Sequence, residues 1–309
     1  MRAGFIGYSG FARKLEYHFK SLIPGLEILF YHPTKELSGR LFTNILNELF
    51  SCDFIVIASP DRTHCDYIKK LKAFSGYVFC EKIPAIDSRQ LRFLESHKNK
   101  RLYFDFNYRK SILFDTLKKN KDKLLYMNQI YSIGLALKTN YHLNWKWRAD
   151  RKITPLGVFQ TSGIHILDLL LYVFGNPLSY HYHSTNLSPY GSSVDNFYLS
   201  MVFNTRNKFK ADLYFSYTAP FNERIELVTA ENLIKITDKK LEIRGPREYY
   251  KNGLFALPPV IKSKKINIYD DSLRKSVNYF VEIMKKRQGF THNYDGNRFF
   301  LKLQKEITE

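Results

Sequence analysis

Residues 53–85 read DFIVIASPDRTHCDYIKKLKAFSGYVFCEKIPA and decide the fold. The stretch opens with an apolar run at 54–58, which is short and rich in β-branched residues, as is typical of a strand buried on both faces. A polar turn and an amphipathic helical pattern at 64–73 follow, and a second apolar run occupies 77–80. Strand, helix and strand in this order predict a right-handed βαβ unit.

Polar residues follow both strands of this unit. In an open α/β sheet, ligands bind beyond the carboxyl ends of the strands. We therefore predict that these residues contact a bound ligand, and the family resemblance described below implies that this ligand is the dinucleotide cofactor. They are Ser59, Pro60, Asp61 and His64 after the first strand, and Glu81 and Lys82 after the second.

An earlier strand, 3–6, leads into the turn GYSGFA at 7–12. This is an altered form of the dinucleotide fingerprint G-x-G-x-x-G, in which serine replaces the second glycine and alanine the last. Alone, the motif does not distinguish a phosphate site from a plain strand–turn–helix. Ahead of a βαβ unit, it predicts phosphate at the N-terminus of a helix beginning near residue 11. The predicted contacts are Gly7, Ser9, Gly10, Phe11 and Ala12.

The second strand, 27–31, ends without an acidic residue. Sites that prefer NAD place Asp or Glu there, to bind the ribose hydroxyls. Here His32 and Lys35 follow the strand, which favours NADP because a carboxylate would repel its 2′-phosphate. The alternative is that His32 is an ordinary loop residue.

The segments 57–64 (IASPDRTH) and 80–84 (CEKIP) resemble the Gfo/Idh/MocA family of nicotinamide-dependent oxidoreductases, whose members carry IATP(N/D)xxH and then EKP. The inserted Ile83 is a departure from that pattern. Two later segments are similar to the family's WR-x-D and GGxxxDxGxHxxDxxxxxxG patterns. They are 145–150 (WKWRAD) and 157–175 (GVFQTSGIHILDLLLYVFG).

The resemblance implies catalytic roles for Lys82 and His165, and it does not decide which of the two is the base. Thr161 stands where many members have Asp. Arg109 is a candidate for an anionic substrate group, with an interdomain salt bridge as the alternative. His165 taken alone would more often be a hydrogen-bonded core residue. The predicted substrate-binding residues are Arg109, Trp147, Arg148, Thr161 and His165.

Two domains are expected. Residues 1–110 would form a Rossmann-type, doubly wound parallel sheet that binds the dinucleotide. Residues 111–309 would form an α+β domain for substrate and oligomerisation, because alternating apolar and polar residues between 180 and 243 predict a large, mostly antiparallel open sheet. The last helices could pack back on the first domain.

By resemblance, the activity is hydride transfer between NADP, or less preferably NAD, and a carbinol or keto carbon of a sugar, nucleotide sugar or cyclitol. The alternative is a non-catalytic NAD(P)-binding or sensor protein of the same fold. Ser9, Ile83 and Thr161 depart from the family pattern and favour that alternative. Retention of both Lys82 and His165 argues against it.

The formal net charge of +19 would favour nucleic acid, an anionic surface or a phosphorylated substrate. The lysines are scattered and no nucleic-acid-binding signature is present, which favours an ordinary solvated surface, with an anionic substrate or cofactor as the alternative. Three cysteines without metal-ligand spacing indicate a reducing, cytoplasmic location and no metal site. The sequence has no apolar run of transmembrane length, so we expect no membrane association. By resemblance, we expect a homo-oligomer formed through the C-terminal sheet.

Overall fold

The computed structural model describes residues 1–34, 38–97, 99–134, 137, 146–247 and 253–309. Its internal contacts divide the chain into two compact units. The first contains Met1–Asn107 and Leu273–Lys302, and the second contains Tyr108–Ser272 and Leu303–Glu309. Each unit is thus built from two segments of sequence. The predicted domain boundary at residue 110 stays a prediction, because compactness alone does not define a domain.

The first unit contains a parallel sheet with strand order β3-β2-β1-β4-β5-β6. The order reverses between β1 and β4, whose C-terminal ends lie side by side, with Ile6 opposite Ile57. Such a reversal creates a crevice beyond the strand ends. The strands are β1 (Arg2–Ile6), β2 (Glu27–Tyr31), β3 (Phe42–Thr43), β4 (Phe54–Ile57), β5 (Tyr77–Glu81) and β6 (Leu102–Asp105).

The strands of the first unit are apolar because helices cover the sheet. On one face Phe19, from the helix after β1, meets Phe54, Phe79 and Phe280 with ring centroids 5.1–5.9 Å apart. Phe280 comes from a helix near the C-terminus of the chain. The helices that contribute to this unit are Gly10–Leu22, His64–Lys70, Ser88–Ser96, Ile268–Lys285 and Asp295–Thr308.

The second unit contains an eight-stranded sheet in the order β14-β13-β12-β11-β7-β10-β9-β8. Every neighbouring pair is antiparallel except β7 and β10, so the predicted fold class is confirmed. The strands are β7 (Leu124–Ser132), β8 (Ser179–Thr185), β9 (Asn196–Val202), β10 (Lys210–Ser216), β11 (Asn222–Thr229), β12 (Leu233–Thr237), β13 (Lys240–Arg244) and β14 (Val260–Lys265).

Helices cover one face of this second sheet. Phe159, at the start of the segment that leads into the last of them, stacks on Phe197 of β9 with ring centroids 4.2 Å apart. The helices are Ile112–Lys119, Lys146–Ala149 and Ile164–Phe174. Across the described part of the chain, no helix is both long and apolar enough to cross a membrane.

Candidate functional site

A cavity of about 500 Å³ lies in the first unit at the C-terminal ends of β1, β2 and β4. It occupies the crevice that the reversal of strand order creates. Twelve described residues line it, and five of them were predicted from the sequence as cofactor contacts. The lining residues are Ile6, Gly7, Tyr8, Ser9, Tyr31, His32, Pro33, Ala58, Ser59, Pro60, Thr63 and Tyr67.

Gly7 holds the strand ends together at the floor of this cavity. Its φ of +99° is rarely adopted by residues with a side chain. A Cβ atom there would lie 2.7 Å from the carbonyl oxygen of Ala58, and the Gly7 amide donates to the carbonyl of Tyr31 at 3.4 Å. Position 7 therefore requires glycine for two independent reasons, conformation and close approach.

Ser9 has a different role from the glycine that the fingerprint expects. It is the N-cap of helix Gly10–Leu22, and its Oγ accepts a hydrogen bond from the Ala12 amide at 3.3 Å. Its φ of −88° is ordinary for serine. The first turn, which contains Gly10, Phe11 and Ala12, presents backbone N–H groups and the positive end of the helix dipole, as an anion site needs.

Three tyrosines of the lining were not recognised from the sequence. Tyr8 lies in the glycine-containing turn, Tyr31 is the last residue of β2, and Tyr67 lies in the first turn of the next helix. The rings of Tyr31 and Tyr67 meet edge to face, 6.1 Å apart. Burial and the neighbouring Tyr31 raise the pKa of Tyr67, so the phenol stays neutral. The position of Tyr31 at the end of a predicted strand was the available signal.

The charge around the cavity matches the prediction from the second strand. None of the twelve described lining residues is Asp or Glu, and His32 is among them, its Nδ1 accepting from the Thr34 amide at 3.2 Å. Outside the cavity, the guanidinium carbon of Arg40 lies 5.6 Å from the ring centroid of Tyr8. Glu16 holds that guanidinium at 2.6 Å. Lys35 lies outside the described residues.

His64 connects the cavity to the segment that follows β5. Its ring is fully buried, with Nε2 2.8 Å from the carbonyl oxygen of Ser59 and Nδ1 2.9 Å from that of Ile83. Burial, the largest effect, lowers its pKa. His64 therefore acts as a bridge between two backbone segments. Asp61 instead accepts from the Arg62 amide at 2.8 Å, within a short 3₁₀ turn.

Lys82 follows β5 directly, after Glu81, and is half-buried. The peptide bond to Ile83 is cis, and Ile83 itself is fully buried. The residue that departs from the family pattern is thus an apolar core residue beside the lysine. Burial lowers the pKa of His64 and raises that of Asp105 to about 7, and in both cases the charge of Lys82 acts to lower the pKa.

In the second unit, Thr161 and His165 lie on a helical segment that is not a uniform α-helix. In a uniform α-helix, the i, i+4 spacing of the two residues would place them on one face. The structure has a π-helical turn at Phe159–Gly163 before the α-helix begins at Ile164. Gly157 anchors the start of the segment, because its φ of +45° and contact with the Val194 carbonyl exclude a Cβ atom. Single π turns of this kind are frequent at functional sites.

The Thr161 hydroxyl donates within its own helical turn. Its acceptor is the carbonyl oxygen of Gly157 at 3.1 Å or of Val158 at 3.3 Å, and it also contacts the hydroxyl of Tyr217. His165 is half-buried, with its ring 5.3 Å from that of Tyr108 and inclined at 30°. Neither tyrosine was recognised as part of the site, because each joins it only through tertiary packing.

Arg109 forms a buried, bidentate ion pair with Asp168. Its Nε and Nη2 donate to the two carboxylate oxygens at 2.7 and 2.6 Å. The Asp168 side chain is 1% exposed and that of Arg109 is 15% exposed. The guanidinium carbon also lies 4.5 Å from the ring centroid of Tyr172. All three residues belong to the second unit, so this pair fastens the 3₁₀ turn at 107–110 to the histidine-bearing helix.

Trp147 and Arg148 lie on the short helix of the second unit. Trp147 is 43% exposed, and the guanidinium carbon of Arg148 lies 4.8 Å from its ring centroid. The positive charge of Arg148 opposes the rise that burial causes in the pKa of Tyr131. Ser162 also acts to lower the pKa of Tyr131, which burial raises.

The predicted site residues thus fall into two groups. In the first unit they surround the cavity and the end of β5, and in the second they surround the π-helical segment. Among the residues whose structure is described, no cluster of three or more His, Cys, Asp or Glu could hold a metal ion.

Comparison with known proteins confirms the resemblance to the Gfo/Idh/MocA family. Residues 129–246 match the family described as GFO/IDH/MocA C-terminal domain. Over 152 residues the chain is 25% identical to glucose-6-phosphate 3-dehydrogenase of Bacillus subtilis (strain 168). That alignment covers 45% of this chain and 42% of the relative, less than half of the curated relative's length.

Two solved structures share the fold over almost the whole chain. UDP-N-acetylglucosamine 3-dehydrogenase from Acidithiobacillus ferrooxidans has a TM-score of 0.73 at 16% identity, covering 99% of this chain and 96% of that one. A putative NADPH-dependent oxidoreductase from Desulfitobacterium hafniense has a TM-score of 0.76 at 13% identity, covering 100% and 93%. At such identities the likeness establishes the fold.

Proposed function

We propose that the protein is an NAD(P)-dependent oxidoreductase that transfers a hydride between nicotinamide and a carbinol or keto carbon of a sugar, nucleotide sugar or cyclitol. The observation that carries the proposal is the cavity at the reversal of strand order, with the glycine-containing turn and a helix N-terminus at its edge. The relatives named above, a sugar-phosphate and a nucleotide-sugar dehydrogenase, support the substrate class.

The described residues fit a dinucleotide. The backbone of Gly7 approaches Ala58 more closely than any side chain would permit, and the capped helix offers amide donors for phosphate. The cavity wall lacks a carboxylate among its described residues, and His32 is part of that wall. We therefore propose NADP as the preferred cofactor, with NAD as the weaker ligand.

When bound, the dinucleotide would supply or accept the hydride at its nicotinamide ring. The chain must then move one proton at the substrate oxygen. We propose that Lys82 holds this proton, as ammonium for reduction and as neutral amine for oxidation.

By the family resemblance we propose a catalytic role for His165, and we propose that Tyr108 holds its imidazole in orientation by ring contact. Arg148 and Trp147 are proposed as substrate contacts, because a guanidinium held over an exposed indole can bind a charged or hydroxylated ring. The net charge of +19 supports an anionic substrate. Arg109 would act indirectly, by fixing the helix through Asp168.

A non-catalytic NAD(P)-binding or sensor protein is the second candidate. Thr161 favours it, because its hydroxyl is engaged by Gly157 and Tyr217 where many family members carry an acid. Ser9 does not favour the sensor, since it caps the helix that would receive phosphate.

We further propose a homo-oligomer formed through the C-terminal sheet, which size-exclusion chromatography with light scattering would test.

Two measurements on one preparation separate the two candidates. Calorimetric titration with NADPH and NADH tests for the cofactor site. A panel of sugars, sugar phosphates, nucleotide sugars and cyclitols, assayed for NADPH formation or consumption, tests for catalysis. We expect binding and turnover. Binding without turnover across the panel would favour the sensor, and no binding of either dinucleotide would overturn both proposals.

A further inference from the structure

The proposed catalytic lysine lies on a short segment outside regular secondary structure. Glu81 is the last residue of β5, and its pairing with Asp105 is the last in the register of β5 and β6. The four residues that follow, 82–85, belong to no strand or helix, and we call them the lysine segment. Pairing between strands therefore ends one residue before Lys82, and other contacts must hold the backbone beyond that point.

A buried asparagine holds the far end of the lysine segment. Asn297 lies on helix Asp295–Thr308, and both it and Ala85 are fully buried. Its Oδ1 accepts a hydrogen bond from the Ala85 amide at 3.0 Å, and its Nδ2 donates to the Ala85 carbonyl oxygen at 2.8 Å. One side-chain amide thus satisfies both backbone polar groups of Ala85, as a neighbouring strand would.

A buried histidine holds the middle of the lysine segment. His64 Nδ1 lies 2.9 Å from the carbonyl oxygen of Ile83, the residue directly after Lys82. The ring of His64 and the side chain of Ile83 are both fully buried. The backbone is therefore held on both sides of the lysine, by the sheet before it and by His64 and then Asn297 after it.

The amide of Asn297 belongs to an otherwise apolar face of its helix. Phe300 and Leu301, three and four residues further on, share that face and are buried. Burying a polar side chain is unfavourable unless it is hydrogen-bonded. An apolar residue at 297 would continue the face, but it would leave the buried amide and carbonyl of Ala85 without these partners, which is costly. The amide therefore serves the backbone of the lysine segment.

We propose that Asn297 is a positioning residue for Lys82, because it fixes the backbone of the lysine segment and so the point from which the amine reaches the substrate oxygen. The catalytic role of Lys82 rests on the proposed function. The anchoring of the segment rests on two hydrogen bonds and on burial. Asn297 is not among the residues that line the cofactor cavity, so its effect on Lys82 can be separated from dinucleotide binding.

The first experiment measures hydrogen–deuterium exchange in the intact protein without cofactor, with fragmentation that resolves single amides. In the wild type, the Ala85 amide should exchange slowly although it lies outside strands and helices. Asn297→Ala should raise its exchange rate about tenfold or more, because the amide loses its acceptor. Asn297→Ser keeps a shorter hydrogen-bonding group and should give an intermediate rate. It carries the same comparison if circular dichroism shows that Asn297→Ala does not fold.

Tyr77→Phe is the matched control. The Tyr77 hydroxyl donates to the Gln288 carbonyl oxygen at 2.9 Å. This contact also joins β5 to the C-terminal part of the first unit, but at the opposite end of the strand from Lys82. Removing it should therefore leave the exchange rate of the Ala85 amide unchanged.

The second experiment separates positioning from a general loss of structure. The value of kcat, with a substrate that the panel identifies, and the NADPH dissociation constant are measured for the same proteins. Asn297→Ala should lower kcat about ten- to a hundredfold, because a misplacement of about 1 Å can have an effect of this size. Its NADPH dissociation constant should stay within about threefold of the wild type. Asn297→Ser should recover part of the loss in kcat, and Tyr77→Phe should change neither quantity.

An Ala85 amide that exchanges as fast in the wild type as in Asn297→Ala would overturn the proposal. An unchanged kcat despite faster exchange would also overturn it, and so would equal losses of kcat and NADPH affinity, since the first unit as a whole would then be loosened. A wild type that turns over no member of the panel refutes the proposed function and with it the positioning role. The exchange rates distinguish that failure, because they show whether Asn297 holds the lysine segment independently of turnover.

Discussion

Replacing Gly7 with alanine should disable the cofactor site. The φ of +99° costs an alanine about 1–2 kcal/mol. The new Cβ atom would also lie 2.7 Å from the Ala58 carbonyl oxygen and 3.0 Å from the Ser59 amide nitrogen, so the backbone after β4 must shift. We expect the free energy of unfolding to fall by about 2 kcal/mol or more, combining strain and displacement.

The same shift should damage binding, because Ala58, Ser59 and Pro60 form one wall of the cavity. We expect the NADPH dissociation constant to rise at least about tenfold, equivalent to about 1.4 kcal/mol. Urea unfolding gives the stability change and calorimetry gives the dissociation constant. Circular dichroism under the titration conditions confirms that the variant is folded.

Gly25→Ala is the matched control. Gly25 has a φ of +71°, so alanine meets a similar conformational cost, but a Cβ atom there meets nothing within 4 Å and the residue does not line the cavity. Alanine there should lower the free energy of unfolding by about 1–2 kcal/mol and leave NADPH affinity within about threefold, under 1 kcal/mol. If Gly7→Ala bound NADPH as tightly as Gly25→Ala, the location of the dinucleotide in this cavity would be refuted.

Substitutions of individual residues test the helix cap, the buried ion pair and the proposed catalytic residues. Ser9→Ala should lower the free energy of unfolding, measured by urea titration, by about 1 kcal/mol, because it removes the N-cap acceptor. An unchanged free energy would mean that the cap does not stabilise the fold. Asp168→Asn should lower the free energy of unfolding by about 3–5 kcal/mol, and with it the melting temperature, because Arg109 then keeps a buried charge without its anion. An unchanged melting temperature would contradict this. Lys82→Ala and His165→Ala should each lower kcat about 10²–10⁴-fold, and His165→Ala should retain its affinity for NADPH. Wild-type turnover in either variant would show that the replaced residue has no part in catalysis.

The first unit was largely predictable because its signals are local. Strand Glu27–Tyr31 and helix Ser88–Ser96 occur with the bounds that apolar pattern and capping residues indicate. The reversal of strand order could also be inferred, since a glycine-containing turn followed by a βαβ unit is compatible with few topologies. Two-residue β3 had no comparable signal, because it forms only by pairing with β2.

The candidate site was less predictable where partners come from distant sequence. The π-helical turn at Phe159–Gly163 follows Gly157, which packs closely against Val194, and a helical sequence pattern reveals neither feature. Likewise, Arg109 could be recognised as a candidate, but its partner Asp168 lies 59 residues away. A sequence pattern names residue types near a site, whereas tertiary packing decides which of them share a hydrogen bond.

Direct transfer of isotope tests the central claim most simply. NADPH carrying deuterium at the transferable position of nicotinamide C4 is incubated with the protein and keto forms of the substrate panel. Mass spectrometry then locates deuterium in the products, with Lys82→Ala as the control. We predict deuterium on the new carbinol carbon with the wild type and at least about a hundredfold less with the control. Wild-type protein that binds NADPH yet places no deuterium in any product would contradict the account.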